Sequence, residues 1–407
     1  MPSSLLSPDS SARQRSHDLL EQFPELAEVP GFPQARILTE YVLGRRSGEL
    51  DASGRATDGT FVAAEVVAGL PHEMLVVDDA QGLQSRLLSQ IAPVRTYNDR
   101  IDEAHTVAEV ADRTSPIDDL AAFTPERDEV WAVVNAPKAT HALAETIAAI
   151  QAHVSTIIVI GRSDSMSRAV NKELARGYAR VDVSPGVGKH RMIIGSRPLS
   201  SPSLPTYPRR STIDHPATGV LQVRAHGACF SGIKSDEGST ALLTALAAET
   251  NSGEPQAVEA IAGPSKSVLD LGCGNGWLLS AALKLMPAAT GVGVDVSKAA
   301  AASAKETAEA NGLEVETILA DATDAQALAG GHDLILLNPP FHQGTTIETD
   351  TAAGLMRAAG ELLAPGGQVF TVYNSHLDYR DTLERVIGPS EQVARTSKFT
   401  VIRCHSR

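Results

Sequence analysis

Val268-Leu-Asp-Leu-Gly-Cys-Gly-Asn-Gly276 is the stretch of this 407-residue chain that decides the fold. Its apolar beginning predicts a short buried strand, and the glycines that follow predict a tight turn into a helix. Because glycine has no Cβ atom, Gly272, Gly274 and Gly276 allow backbone to pass close to a ligand. Their spacing differs from the G-x-G-x-x-G dinucleotide fingerprint. Asp270, which precedes them, would repel a pyrophosphate and attract a cation such as an ammonium group.

Strands and helices alternate on both sides of this stretch. Downstream, Ser297 is a predicted helix cap, and strands are predicted at 267–271, 291–295, 315–319, 333–337, 368–373 and 398–403. Upstream, the same pattern places strands at 73–78, 130–134, 155–161 and 189–197. Such alternation is typical of an α/β protein with a doubly wound, parallel sheet, in which ligands bind at the carboxyl ends of the strands.

A segment rich in serine and proline, 195–208, predicts a boundary between two domains. We expect a first domain at 1–200, a linker at 201–215 and a second domain at 216–407. The first domain has a similar order of elements, but its first strand is followed by only Gly82, and its strand at 130–134 ends in Asn135-Ala-Pro-Lys138. We interpret it as a divergent copy of the second domain without a working nucleotide loop.

Composition limits the function classes. The net charge of −14 argues against broad electrostatic capture of nucleic acid, so any such partner would be held by local clusters. The candidate clusters are Arg45-Arg46, Arg209-Arg210, and Arg395, Lys398, Arg403 and Arg407. The chain has 3 cysteines without zinc spacing, no predicted metal site, no apparent signal peptide and no apolar run that spans a bilayer, so a cytoplasmic enzyme is expected.

Acidic residues follow successive strands of the second domain. Asp295 ends the strand after the glycine turn, where an acid commonly grips ribose hydroxyls. Asp321 follows the next strand and would accept a hydrogen bond from an adenine amino group. With Asp270 as the ammonium acceptor, these residues predict a ligand that contains ammonium, ribose and adenine without phosphate. S-adenosylmethionine has this composition.

Asn338-Pro339-Pro340-Phe341 ends the apolar strand at 333–337. Proline ends a strand and leaves carbonyl groups without partners, so this tip presents a side-chain amide, a bare carbonyl and an aromatic ring. Two acceptors and one stacking surface suit a planar ligand with an exocyclic amine. These four residues are the predicted catalytic group, and Asn338 is also counted among the cofactor-binding residues.

Together, the glycine stretch, Asp295 and Asn338-Pro-Pro-Phe-His-Gln-Gly344 resemble class I S-adenosylmethionine-dependent methyltransferases. More narrowly, the chain resembles the bacterial ribosomal RNA guanine-N2 methyltransferases of the "small" type, to which His342 and Gly344 point. The resemblance implies two tandem Rossmann-like folds, the N-terminal one degenerate, with RNA recognition as its candidate role. A further signature of the family matches Phe230-Ser-Gly-Ile-Lys-Ser-Asp-Glu-Gly238, and implies that Phe230 and Asp236 pack against the cofactor.

The resemblance implies methylation of the N2 amine of a guanine in ribosomal RNA or a ribosomal subunit. We expect the protein to be a monomer without membrane association. Three alternatives remain open: a protein glutamine-N5 methyltransferase, a non-catalytic RNA-binding assembly factor, and an α/β protein that binds another nucleotide.

Some positions depart from the family pattern. Trp277 and Leu279 are larger than usual, and Asp378 stands where proline is common.

Overall fold

The computed structural model of the chain describes residues 3–57, 70–250, 266–340 and 346–407. Two compact units are present, Met1–Thr206 and Tyr207–Arg407, here called the N-terminal and C-terminal units. No helix in the described ranges is long and apolar enough to cross a membrane.

The N-terminal unit begins with two helices and continues as alternating strands and helices. Its elements are α1 (Ser11–Leu20), α2 (Phe32–Ser47), β1 (Glu73–Val77), α3 (Leu83–Leu88), β2 (Val94–Tyr97), α4 (Ile101–Val110), β3 (Thr114–Pro116), β4 (Val130–Asn135), α5 (Thr140–Ile150), β5 (Thr156–Arg162), α6 (Arg168–Gly177), β6 (Tyr178–Val183) and β7 (His190–Pro198). The strands form one sheet in the order β3-β2-β1-β4-β5-β7-β6. Only β7 runs antiparallel to its neighbours.

The C-terminal unit begins with a hairpin and then repeats this architecture. Its elements are β8 (Arg209–His215), β9 (Gly219–Ala225), α7 (Glu237–Thr250), β10 (Ser267–Leu271), α8 (Trp277–Leu285), β11 (Thr290–Asp295), α9 (Lys298–Ala310), β12 (Val315–Leu319), β13 (His332–Leu337), α10 (Thr346–Leu362), β14 (Leu363–Asn374), α11 (Arg380–Val386), β15 (Ser390–Arg395) and β16 (Phe399–His405). The sheet order, β12-β11-β10-β13-β14-β16-β15, matches that of the N-terminal unit strand for strand. The predicted pair of tandem Rossmann-like folds is confirmed.

Each sheet is covered on both faces, which explains its apolar strands. In β13, Leu334 and Leu336 pack into the core on one face, whereas Ile335 and Leu337 pack into the core on the other. This alternation follows from the two-residue period of a strand. The predicted cap of α9 is confirmed, since the Ser297 hydroxyl accepts a hydrogen bond from the Ala300 amide at 3.1 Å.

The predicted linker at 201–215 is wrong over its second half. Arg209–His215 is strand β8, which pairs with β9 in an antiparallel hairpin. The prolines of the segment all precede β8, so they do not interrupt its pairing. Ile213 packs against the core of the C-terminal unit, and this contact assigns the hairpin to that unit.

Candidate functional site

Three neighbouring strands of the C-terminal unit bring the predicted residues to one edge. β10 lies between β11 and β13, and all three are parallel. The glycine turn follows β10, Asp295 ends β11, and Asn338 follows β13. Parallel strands end at the same edge of a sheet, so these groups surround one crevice.

The three glycines of the turn have two different roles. All adopt left-handed backbone angles, with φ of 84° at Gly272, 53° at Gly274 and 70° at Gly276. A Cβ atom added to Gly272 or Gly274 would meet nothing within 4 Å, so these two residues border open space. At Gly276 the added atom would lie 2.5 Å from the Cα atom of Ala304 in α9. Gly272 and Gly274 therefore border a concave surface, here called the glycine cradle, that could admit a ligand, whereas Gly276 permits close packing of α8 on α9.

Asp295 holds this cradle in shape. One carboxylate oxygen accepts a hydrogen bond from the Gly274 amide at 3.0 Å, and the other accepts from the Ser297 amide at 3.0 Å. The side chain is partly exposed. A carboxylate at this strand end is of the chemical type that accepts hydrogen bonds from hydroxyl groups of a ligand.

Asp270 is a buried acid without a basic partner among the residues described. Its exposed fraction is 2%. Burial, and secondarily the nearby Asp295 carboxylate, raises the pKa of Asp270 to about 7. A cationic group placed between the two carboxylates would offset both effects. The two carboxylates are therefore suited to the ammonium group of an amino acid moiety.

The amide of Asn338 is fixed in one orientation. Its Nδ2 atom donates to the Asp236 carboxylate at 2.8 Å and to the Ser239 hydroxyl at 2.9 Å. Because a carboxylate only accepts, these contacts identify the nitrogen and leave Oδ1 as the acceptor end of the amide. Within the described part of the chain, no group donates to Oδ1. Gly238 makes the contact possible, since an added Cβ atom would lie 3.0 Å from Asn338 Oδ1 and 2.9 Å from Asp236 Oδ2.

Asn275 is a site residue that the sequence analysis did not single out. Its Nδ2 atom donates to the carbonyl groups of Gly232 at 2.8 Å and Lys234 at 3.1 Å, and its Oδ1 atom accepts from the Trp277 amide at 3.0 Å. The signature segment is thus tied to the glycine turn at one end and to Asn338 at the other. In the sequence, the only pointer to this role is an asparagine placed between two glycines of the turn, Gly274 and Gly276.

The remaining predicted residues are less closely engaged. Asp321 is exposed, and its Oδ1 atom accepts from the amide and hydroxyl of Thr323, which leaves its other oxygen for a ligand. Phe230 is 57% exposed at the start of the signature segment. Pro339 is buried and Pro340 exposed. Phe341, with His342 and Gly344, lies outside the described residues, so its predicted role stays a prediction.

The N-terminal unit keeps the shape of the turn without its chemistry. Strand register aligns β1 with β10, and Asp78, with φ of 56°, takes the position of Gly272. Gly82, directly before α3, again packs closely against the next helix, α4. An added Cβ atom would lie 3.3 Å from the Cα atom of Val107 in α4. However, Val76 occupies the position of Asp270. This unit therefore has no acid at the position of Asp270, and its own buried acid in the turn, Asp79, accepts a hydrogen bond from the Ser85 amide at 2.8 Å.

The asparagine at the corresponding strand end of the N-terminal unit is engaged in internal hydrogen bonds. Asn135 aligns with Asn338, because Asn135 comes directly after Val134, which pairs with the last residue of β1, and Asn338 comes directly after Leu337, which pairs with the last residue of β10. Gln84 donates to Asn135 Oδ1 at 2.6 Å, while Asn135 Nδ2 donates to Gln84 Oε1 at 3.1 Å and to the Val77 carbonyl at 3.3 Å. Both ends of the amide are occupied internally. The degenerate character of this unit follows from these contacts.

Comparison with known proteins agrees with this geometry. Residues 220–403 match the family model described as the methyltransferase small domain. The chain is 29% identical over 351 residues to ribosomal RNA large subunit methyltransferase G of Pseudomonas syringae pv. tomato, covering 84% of this chain and 89% of that protein. It is 31% identical over 284 residues to the same enzyme of Ectopseudomonas mendocina, covering 69% and 72%. Ribosomal RNA small subunit methyltransferase C of Pseudomonas aeruginosa is 37% identical over 187 residues, covering 46% and 51%.

A solved structure shows the same fold over both units. The 16S ribosomal RNA N2 guanine methyltransferase of T. thermophilus, in complex with AdoMet and guanosine, superposes with a TM-score of 0.68 at 22% identity. The superposition covers 82% of this chain and 88% of that protein. Its agreement supports the tandem architecture, and the sequence relatives establish the family. The chain belongs to the family of S-adenosylmethionine-dependent ribosomal RNA methyltransferases that contain the methyltransferase small domain.

Proposed function

We propose that this protein transfers a methyl group from S-adenosylmethionine to the exocyclic N2 amine of a guanine in ribosomal RNA. The observation that carries the proposal is the fixed amide of Asn338, whose Oδ1 atom is left as an acceptor beside the glycine cradle. The names of the relatives support ribosomal RNA as the substrate class. The bound guanosine of the solved relative supports guanine as the base.

The crevice contains groups for each part of the cofactor. Asp270 would hold the ammonium group, Gly272 and Gly274 would border the amino acid moiety, and Asp295 would accept from the ribose. Asp321, with one free oxygen, would accept from the adenine amino group. When bound, the cofactor supplies a methyl group already activated on a sulfonium.

The tip after β13 would position the amine. Asn338 Oδ1 accepts one N–H of the amine, and the Pro339 carbonyl, to which no described backbone amide donates, accepts the other. Two acceptors on one amine fix its plane and increase the electron density on nitrogen. Phe341 is assigned the role of stacking on the extruded base. Positioning of this kind contributes most of the catalysis when the methyl donor is already activated.

A protein glutamine-N5 methyltransferase would use the same acceptors, because a glutamine amide is also a planar amine. The tandem architecture, shared with the ribosomal RNA methyltransferase of known structure, favours RNA. The preserved Asp270, cradle and oriented Asn338 argue against a non-catalytic assembly factor. The proposal includes action as a monomer in the cytoplasm, where ribosomal RNA is assembled into subunits.

The test is methyl transfer to ribosomal RNA and to ribosomal subunits from cells that lack the protein. Incorporation of labelled methyl groups, followed by mass spectrometry of the nucleosides, should identify N2-methylguanosine. A different methylated nucleoside, or methylated protein glutamine, would replace the proposal with another reaction of the family. Sedimentation of the purified protein tests the monomer.

A further inference from the structure

A second cavity of the C-terminal unit has no role in the site described above. It has a volume of about 340 Å³ and is lined by the ends of β14 and β15, the start of β16, and the turn at 375–378. Pairing of Asn374 with Phe399, and of Arg395 with Thr400, places these ends at the edge where β13 also ends. β13 is the neighbour of β14, and strands lie about 4.8 Å apart, so the cavity begins about 5–10 Å across the sheet from the tip that carries Asn338.

A tyrosine side chain lines this cavity. Tyr373 is 4% exposed, yet its hydroxyl has no hydrogen-bond partner in the described ranges. Its ring packs edge-on against Tyr379, with 5.6 Å between the centroids, so the side chain is held in place. Burial, with a smaller contribution from Asp378, raises the pKa of Tyr373, which keeps the hydroxyl protonated as a donor. The hydroxyl is therefore a fixed donor at the cavity wall, available to an acceptor atom of a ligand.

Two arginines lie at the same cavity. Arg380 is anchored by Glu384 at 3.1 Å and by the Ser390 carbonyl at 2.9 Å, which leaves its Nη1 atom unused by any described residue. Arg395 makes no hydrogen bond or ion pair with any part of the chain that the structure describes, and it lines the cavity.

Of the four cations predicted as a C-terminal cluster, three bind other groups within the described part of the chain, and Arg395 does not. Arg403 is paired with Glu249 and Glu391, and Lys398 is paired with Glu237. Arg407 donates to carbonyl groups at the end of α11. These three side chains are used within the fold, so Arg395 remains for a ligand.

The charges of the lining favour a singly charged anion. Arg395, and Arg380 with its charge shared with Glu384, face the carboxylate of Asp378 in the lining, and Gln392 and His376 add polar groups. Asp378 would repel a second negative charge, so a phosphodiester, with one charge, suits the cavity better than free phosphate. Guanidinium groups bind phosphate oxygens with paired donors, and the Tyr373 hydroxyl supplies another.

We infer that this cavity binds a backbone phosphodiester of the RNA strand next to the target guanine. The inference rests on the proposed function, and it gives an acidic protein a local contact for RNA at the catalytic edge. It also assigns a role to the turn at 375–378, where the sequence departs from the family pattern at Asp378.

The experiment measures the affinity of the full-length protein for deproteinised ribosomal RNA at several salt concentrations, by filter binding. Arg395→Gln should weaken binding about tenfold. It should also reduce the slope of log affinity against log salt by about 0.7, the contribution of one phosphate contact on a single strand. Tyr373→Phe should weaken binding about fivefold with the slope unchanged, because the lost hydroxyl carries no charge. Arg385→Gln, which removes an exposed arginine of α11 outside the cavity, is the matched control and should bind as wild type.

Wild-type affinity and slope in Arg395→Gln would overturn the inference, and so would equal losses in Arg385→Gln. Binding of inorganic phosphate by calorimetry, without a change in the RNA slope, would also overturn it. The experiment measures binding, so its outcome is independent of the proposed function. RNA that binds to the wild type but receives no methyl group would contradict the proposed function alone. Cofactor affinity, measured by calorimetry, should be unchanged in all three variants.

Discussion

Asn338 Nδ2 donates to Asp236 Oδ2 across a distance of 2.8 Å, and this contact joins residues 102 positions apart in the chain. Asp236 also accepts from the Ser239 amide at 3.0 Å, so the carboxylate is fixed by the first turn of α7. The contact settles the rotation of the Asn338 amide before any substrate is bound. Preorganisation of this kind avoids reorganisation during the reaction.

The first prediction compares the two aligned amides. Asn338→Ala should lower kcat about 100-fold, because the target amine loses its positioning acceptor, while cofactor affinity stays near wild type. Asn135→Ala is the matched control, since the partners of its amide within the described residues are Gln84 and Val77. It should leave kcat unchanged and lower stability by about 1 kcal/mol. Methyl incorporation and calorimetry measure these effects, and equal activities of the two variants would remove Asn338 from the mechanism.

The second prediction concerns Asp236, for which the family resemblance implies a contact with the cofactor. Its contacts with Asn338 and α7 predict a positioning role instead. Asp236→Ala should therefore lower kcat about tenfold, with the dissociation constant of the cofactor little changed. Ser239→Ala, which removes the other partner of the amide, should give a smaller effect in the same direction. If Asp236→Ala instead weakens cofactor binding with kcat intact, the resemblance gives the better account.

The third prediction concerns Asp295, which braces the Gly274 amide. Asp295→Ala should weaken cofactor binding about 10- to 100-fold, because the ligand acceptor and the support of the cradle are lost together. Asp321→Ala, at an exposed turn one strand further out, should weaken it less. Titration calorimetry of both variants ranks the two acids, and the reverse order would show that the adenine contact dominates.

The sequence predicted the central strands of each sheet and the tandem fold, because strand burial and glycine turns leave local patterns. It did not predict the shorter or more exposed strands β2, β3, β6, β8, β9 and β15, or the order of strands in the sheets. It treated the three glycines alike, whereas only the structure separates Gly276, against Ala304, from Gly272 and Gly274. The role of Asn275 depends on carbonyl groups more than 40 positions away. Such long-range contacts leave no periodic signal in a single sequence. The same holds for Gln84, whose bond to Asn135 blocks the N-terminal tip.

The fourth prediction tests the division among the glycines. Gly276→Ala should lower the free energy of unfolding by about 1–3 kcal/mol, since the new methyl group would collide with α9 in a left-handed backbone. Gly272→Ala carries the backbone strain without the collision, so it should destabilise less and reduce cofactor affinity more. Urea unfolding and calorimetry on the two variants provide the comparison. Equal losses of stability would mean that strain alone sets the requirement for glycine.

The fifth prediction uses the raised pKa of Asp270, about 7 in the folded protein against an ordinary value of 3.8. A carboxyl group whose pKa is raised on folding holds its proton more tightly in the folded state, so its ionisation lowers stability as the pH rises from about 4 to about 7. Asp270→Asn removes this cost. The variant should therefore melt at a higher temperature than wild type without cofactor, with the gain largest above pH 7 and shrinking toward pH 4.

The same substitution should weaken cofactor binding, since the neutral amide cannot pair with an ammonium group. In the wild type, binding of that cation favours the ionised acid, so affinity should fall as the pH drops below about 7 and a proton should be released on binding near neutral pH. Calorimetry in buffers of different ionisation enthalpy measures this proton. A gain in stability together with a loss of cofactor affinity would show that the buried acid serves ligand binding and lowers the stability of the cofactor-free protein. Lower stability of Asp270→Asn at pH 8 would instead assign Asp270 a purely structural role.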